Sequence, residues 1–74
     1  MNRTQLSKIW LTDSAIWIEP SDGRRACEKI ADYSRLANAD RKQLENYRLS
    51  YFGIHWPDID EDLSYEGFFN KPCV

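Results

Sequence analysis

The chain has no apolar run long enough to cross a membrane. The residues after Met1 carry one arginine and no apolar core behind it, so no secretory leader is expected. Those two absences make the cytoplasm the expected compartment. Cysteine is scarce: Cys27 and Cys73 are the only two, and Cys73 stands next to the C-terminal residue. They are read as two reduced thiols rather than as a disulfide framework. There is no CxxC and no Cys/His cluster, so neither zinc nor another cofactor is expected. Basic excess is lacking too, with ten Lys and Arg against twelve Asp and Glu and a net charge of −2. A sequence pI near 5.2 argues against a general nucleic-acid binder, which would show a basic patch and a high pI. Internal repeats and low-complexity tracts are absent.

What is present is a small, ring-rich chain. Seventy-four residues, 42% of them apolar, predict one domain over 1–74, with 1–7 and 70–74 as flexible ends. Three Trp, four Tyr and three Phe supply much of the core. A core of this size yields only about 3–5 kcal/mol, so pairing with a second chain or a second copy would supplement it.

Residues 8–12 and 15–19 are rich in Ile and Trp, with Asp13-Ser14 between them, and read as two strands joined by a tight turn. A two-residue loop puts Trp10 opposite Trp17, and Ile9 and Leu11 share the other face with Ile18 and Ile16. Residues 20–23, ending in Asp22-Gly23, read as a second turn. A third strand follows over 24–30, with charges suited to an edge. Residues 33–39 form a connection anchored by Leu36. Asp40 then caps a short helix over 41–47, with Gln43 completing a capping box and Ala39 and Leu44 a hydrophobic staple. Leu49 and Tyr51 alternate over 48–51 and return the chain to the sheet.

The stretch GIHWPDIDEDLSYEGFF, residues 53–69, is the most distinctive. Gly53 permits a bulge or a close backbone approach. Ile54 and Trp56 face one way and His55 the other, and Pro57 ends the strand by removing a ladder donor. Asp62 or Ser64 is expected to cap a last helical turn, with Phe68 and Phe69 closing the core. The predicted fold class is α+β: a small, mostly antiparallel sheet of three to five strands, one short helix, and a C-terminal helical turn.

That stretch resembles the signature of a small bacterial family, domain of unknown function 2442. The likeness rests on IHWP, on Asp62, Leu63 and Ser64 inside DEDLS, and on Gly67 ahead of apolar residues. Asp22-Gly23 and the segment SRLANADRKQLENYRL also fit. The resemblance implies a small α+β domain with an antiparallel sheet and no established catalytic residues. It also implies a gene arrangement like that of a toxin–antitoxin pair. Some members carry a helix-turn-helix after this module, and none is expected here.

Four candidate chemistries follow. Asp58, Asp60 and Asp62 match the first three ligand positions of an EF-hand loop, but Leu63 and Phe69 stand where its Gly and Glu belong, so no metal site is expected. His55 beside those carboxylates is the residue set for the alternative reading as an acid–base or metal-dependent enzyme. Arg24, Arg25, Lys29, Arg35, Arg41, Lys42 and Arg48, with aromatics nearby, carry the other alternative, a regulatory nucleic-acid binder. The leading expectation is a non-catalytic protein-interaction module, resembling an antitoxin-like partner of a second small protein. Its candidate contact residues are Trp10, Trp17, His55, Asp58, Asp60 and Glu61, with Trp the residue most enriched in binding hot spots. Gly53, Ile54, Trp56, Pro57, Asp62, Leu63 and Ser64 are read as its structural signature.

Overall fold

The computed structural model describes residues 6–21 and 23–70. Strands β1 (Leu6–Leu11), β2 (Ala15–Pro20) and β3 (Ala26–Lys29) form sheet A in the order β1-β2-β3. A 3-10 turn (Ile30–Asp32) and helices α1 (Ser34–Ala37) and α2 (Arg41–Glu45) follow. Strands β4 (Arg48–Leu49), β5 (Gly53–Trp56) and β6 (Glu61–Ser64) form sheet B in the order β4-β5-β6, and helix α3 (Tyr65–Phe68) ends the described chain. All strand pairs are antiparallel. The fold is α+β.

The first hairpin takes the register that alternation demands. Trp10 pairs with Trp17, Ile9 with Ile18 and Leu11 with Ile16. Thr12 N donates to Ala15 O at 2.9 Å and closes a two-residue loop at 13–14. β1 begins at Leu6, so residues 6 and 7 belong to the strand rather than to a loose end. Gly23 closes the second turn, its N–H donating to Pro20 O at 3.0 Å, and adopts φ 89°, a conformation that costs glycine least. β3 is an edge strand, shorter than the predicted 24–30.

Helix α2 has the expected cap. Asp40 Oδ1 accepts from Gln43 N at 2.8 Å, and Gln43 Oε1 accepts from Asp40 N at 3.2 Å. The helix stops at Glu45, two residues before the predicted end. The connection expected over 33–39 contains α1, whose Leu36 is fully buried.

The core lies between the two sheets. Ile16, Ile18 and Ala26 of sheet A meet Ile54, Trp56 and Leu63 of sheet B, with Leu36, Leu44, Tyr65 and Phe68 from the helices. Trp56 is fully buried and its indole N–H donates to Leu44 O at 2.9 Å, so its one polar atom is satisfied. Tyr47 meets it edge-on, with ring centroids 6.5 Å apart.

Three expectations are corrected. Residues 48–64 build a second sheet instead of extending the first. Residues 61–64 form β6, because the turn at 57–60 sends the chain back along β5; Asp62 is therefore a strand residue, and Ser64 alone caps α3, its Oγ accepting from Gly67 N at 3.1 Å. Cys27 is disulfide-bonded rather than a reduced thiol; the other cysteine of the chain, Cys73, lies outside the described residues. The expected flexible ends at 1–5 and 71–74 lie outside them as well. No helix among the described residues is long and apolar enough to cross a membrane.

Candidate interaction surfaces

Each sheet has an inner face on the core and an outer face. The outer faces hold Trp10, Trp17 and His55, while Asp58, Asp60 and Glu61 lie at the hairpin end between β5 and β6.

On sheet A, the strand register sets out three cross-strand rows on the outer face. Lys8 stands opposite Glu19, and Glu19 Oε1 accepts from Arg25 Nε at 2.9 Å. Trp10, Trp17 and Cys27 form the next row. Ala15 and Lys29 form the third, at the 13–14 turn, where Thr12 closes the loop. The two indoles are stacked, with centroids 5.9 Å apart and planes 6° apart. Both are half-buried and neither belongs to the core between the sheets. The Arg25 guanidinium lies 5.9 Å from the Trp10 ring centroid, within range of a cation–π contact. Beside Trp17, small side chains leave a depression of about 440 Å³ lined by Ala15, Trp17, Cys27, Lys29 and their neighbours in the two adjoining turns.

On sheet B, the outer-face row is Arg48, His55 and Asp62. His55 Nδ1 and Asp62 Oδ1 are 2.8 Å apart on adjacent strands, and both side chains are substantially exposed. This is the geometry of a cross-strand surface pair. The acidic turn beyond it is tied inward. Asn46 Nδ2 donates to Asp58 Oδ2 at 3.0 Å, and Arg35 donates to the Asp60 carbonyl at 2.6 Å. Asp60 adopts φ 53°, the left-handed region that Asp tolerates better than most residues. Glu61 Oε1 accepts from Asp62 N at 3.0 Å. Asp58, Asp60 and Glu61 therefore share one hairpin end, while Trp10 and Trp17 sit on the other sheet. Among the described residues no group of three or more His, Cys, Asp or Glu side chains comes together to hold a metal ion.

Several arginines make internal contacts. Arg41 donates to Thr12 O at 3.1 Å and pairs with Glu45 at 3.3 Å. Arg24 lies over the Phe69 ring at 4.6 Å. A backbone knot at Ser50 presents another feature. Ser50 N donates to Gly53 O at 2.9 Å, and Ser50 O accepts from the Tyr65 hydroxyl at 2.7 Å. Burial pushes the Tyr65 phenol above its ordinary value of 10, and this hydrogen bond offsets part of that rise. The knot displays Tyr51 and Phe52, which meet edge-on at 5.0 Å, and Phe52 is 76% exposed.

Sequence reasoning found the tryptophan pair, and it placed His55 on the face away from Trp56. It missed Ala15 and Lys29 as neighbours of Trp17, although the hairpin register and the alternation of β3 together carry that signal. It also missed the exposure of Phe52, which alternation alone does not announce.

Comparison with curated proteins and with solved structures finds no match. The model of the family described as protein of unknown function, DUF2442, matches residues 8–71. That span covers sheet A from Lys8 onward, all of sheet B, all three helices and the whole signature stretch at 53–69, so the chain belongs to the DUF2442 family.

Proposed function

We propose that this chain is a non-catalytic protein-interaction module that binds a second protein through the outer face of sheet A. The observation that carries this reading is the stacked Trp10–Trp17 pair, half-buried and outside the core. Two large rings on a sheet face contribute little to the interior and much to a contact. The arrangement that the family resemblance implies makes the partner a small protein encoded beside this one, in the manner of an antitoxin and its toxin. Occupying the partner's working surface would then be the mechanism. The internal ties of the acidic turn and of the arginines support a protein partner over a nucleic acid, because those charges already have work within the fold.

Co-expression with the genomic neighbour, followed by a pull-down, tests the reading. The parent chain captures the neighbour, and a Trp10→Ala, Trp17→Ala double variant with an unchanged far-ultraviolet circular dichroism spectrum does not. Charge reversal at Asp58, Asp60 and Glu61 leaves capture in place. Equal capture by the double tryptophan variant would sink the proposal, and light scattering on the chain alone shows whether the tryptophans are used in self-association instead.

A further inference from the structure

We infer that the depression beside Trp17 takes an apolar side chain from an acidic segment of the partner protein. This rests on the interaction-module reading and gives the partner a chemistry. Trp17 is large and its neighbour two residues back, Ala15, is small, so the step between them is a wall and a floor. Cys27 closes the depression on the β3 side and Lys29 stands at its rim. Rows two residues apart along a strand are about 7 Å apart. A side chain of leucine size laid on Ala15 would therefore touch the Trp17 ring, with Lys29 within reach of a carboxylate on the adjoining residue.

Charge points the same way. Among the described residues, the rows on the outer face of sheet A carry Lys8, Arg25 and Lys29 against the carboxylate of Glu19, and Arg25 is the one bonded to Glu19. Lys8 and Lys29, both exposed, are left to flank the tryptophan row, one on each side. The chain as a whole has a net charge of −2, so this face is locally cationic on an acidic protein. Such a face steers an acidic surface towards it and turns its own acidic side away. A single-stranded nucleic acid also carries negative charge, but it would need an open ring face for its bases. The two indoles turn one face each to one another and Arg25 lies over Trp10, which leaves the one face of Trp17, too little for successive bases to stack on. The geometry favours a peptide.

Two synthetic peptides with the same apolar residues test this, one with leucine flanked by aspartates and the other with lysines in their place. They are titrated into the full isotope-labelled chain and followed by NMR. The acidic peptide is expected to move the Trp17 indole and the amides of Ala15, Cys27 and Lys29, and the lysine peptide to move none of them. Lys29→Glu should weaken the acidic peptide about fivefold, the range of one exposed ion pair, with the rest of the spectrum unchanged. Equal binding of both peptides, or undiminished binding to Lys29→Glu, overturns the inference. So does a single-stranded oligonucleotide that shifts the same resonances when the acidic peptide shifts none. Capture of the neighbour through Trp10 and Trp17 without any response to the acidic peptide overturns the acidic segment alone and leaves the interaction module standing. Loss of both overturns the two readings together.

Discussion

Trp56 and Trp17 are the same residue on equivalent strands of two small sheets, and they serve opposite ends. Trp56 points inward from sheet B, is fully buried and has its indole N–H bonded to Leu44. Trp17 points outward from sheet A, stacks on Trp10 and stays half-buried. The outer faces differ in the same sense. Sheet B presents the row Arg48, His55 and Asp62, in which His55 and Asp62 contact each other. Sheet A presents two rings and a depression lined, among the described residues, by Ala15, Trp17, Lys29 and the disulfide-bonded Cys27. An outer face built of charges is complete in water. One built of rings exposes area worth about 25 cal/mol for each Å² that a partner could cover.

Truncation separates the two tryptophans most widely. Trp56→Ala is expected to cost about 3–5 kcal/mol, because it opens a cavity and strands the Leu44 carbonyl. Trp17→Ala should cost nearer 1 kcal/mol, mainly the stacking with Trp10. Urea denaturation followed by circular dichroism measures both, and equal losses would mean that Trp17 is core.

Gly53→Ala is next in size. A Cβ there would collide with the Leu63 carbonyl and stand 2.9 Å from Ser64 Cα, so β5 and β6 would have to separate. About 1–3 kcal/mol is expected from overpacking against backbone. A thermal melt that matches the parent would show that sheet B does not depend on this close approach.

The turn at 57–60 gives a smaller effect. Asp60→Val forces a β-branched residue to φ 53° and should cost about 1–2 kcal/mol, whereas Asp60→Gly should hold stability. Equal destabilisation by both would show that the Asp60 side chain, not its backbone, matters.

The smallest effect is in alkali. Folding raises the Tyr65 pKa, so the fold favours the neutral phenol. Its contribution is fully present below pH 10, the unfolded value, and is lost as pH rises through the higher folded value. Tyr65→Phe should lose about 1 kcal/mol at neutral pH through its bond to Ser50 and should flatten the alkaline decline. An unchanged alkaline limb would assign that decline to other groups.

Much of the local structure was legible in the sequence. Alternation about a two-residue loop set the register of β1 and β2, since a slip by one residue would have put Trp10 and Trp17 in the core. Asp40 and Gln43 announced the start of α2, because a capping box satisfies backbone donors within one turn. Pro57 stopped β5, and Gly53 marked a close approach. These depend on neighbours in the chain, so neighbours in the chain reveal them.

Only the tertiary structure decided the rest. Glu61 to Ser64 has poor intrinsic strand character, yet β5 offers it a ladder of backbone hydrogen bonds, and pairing outweighs propensity. Glu28, 5% exposed, is buried although its residue type prefers water, because α3 comes from nearly forty residues later to lie near it: a Cβ on Gly67 would stand 3.6 Å from its carboxylate. Residues 48–64 form a second sheet rather than extending the first, which sets Ile54, Trp56 and Leu63 in one core with Ile16 and Ile18. Packing between distant segments is a property of the assembled surface, and no window of adjacent residues contains it.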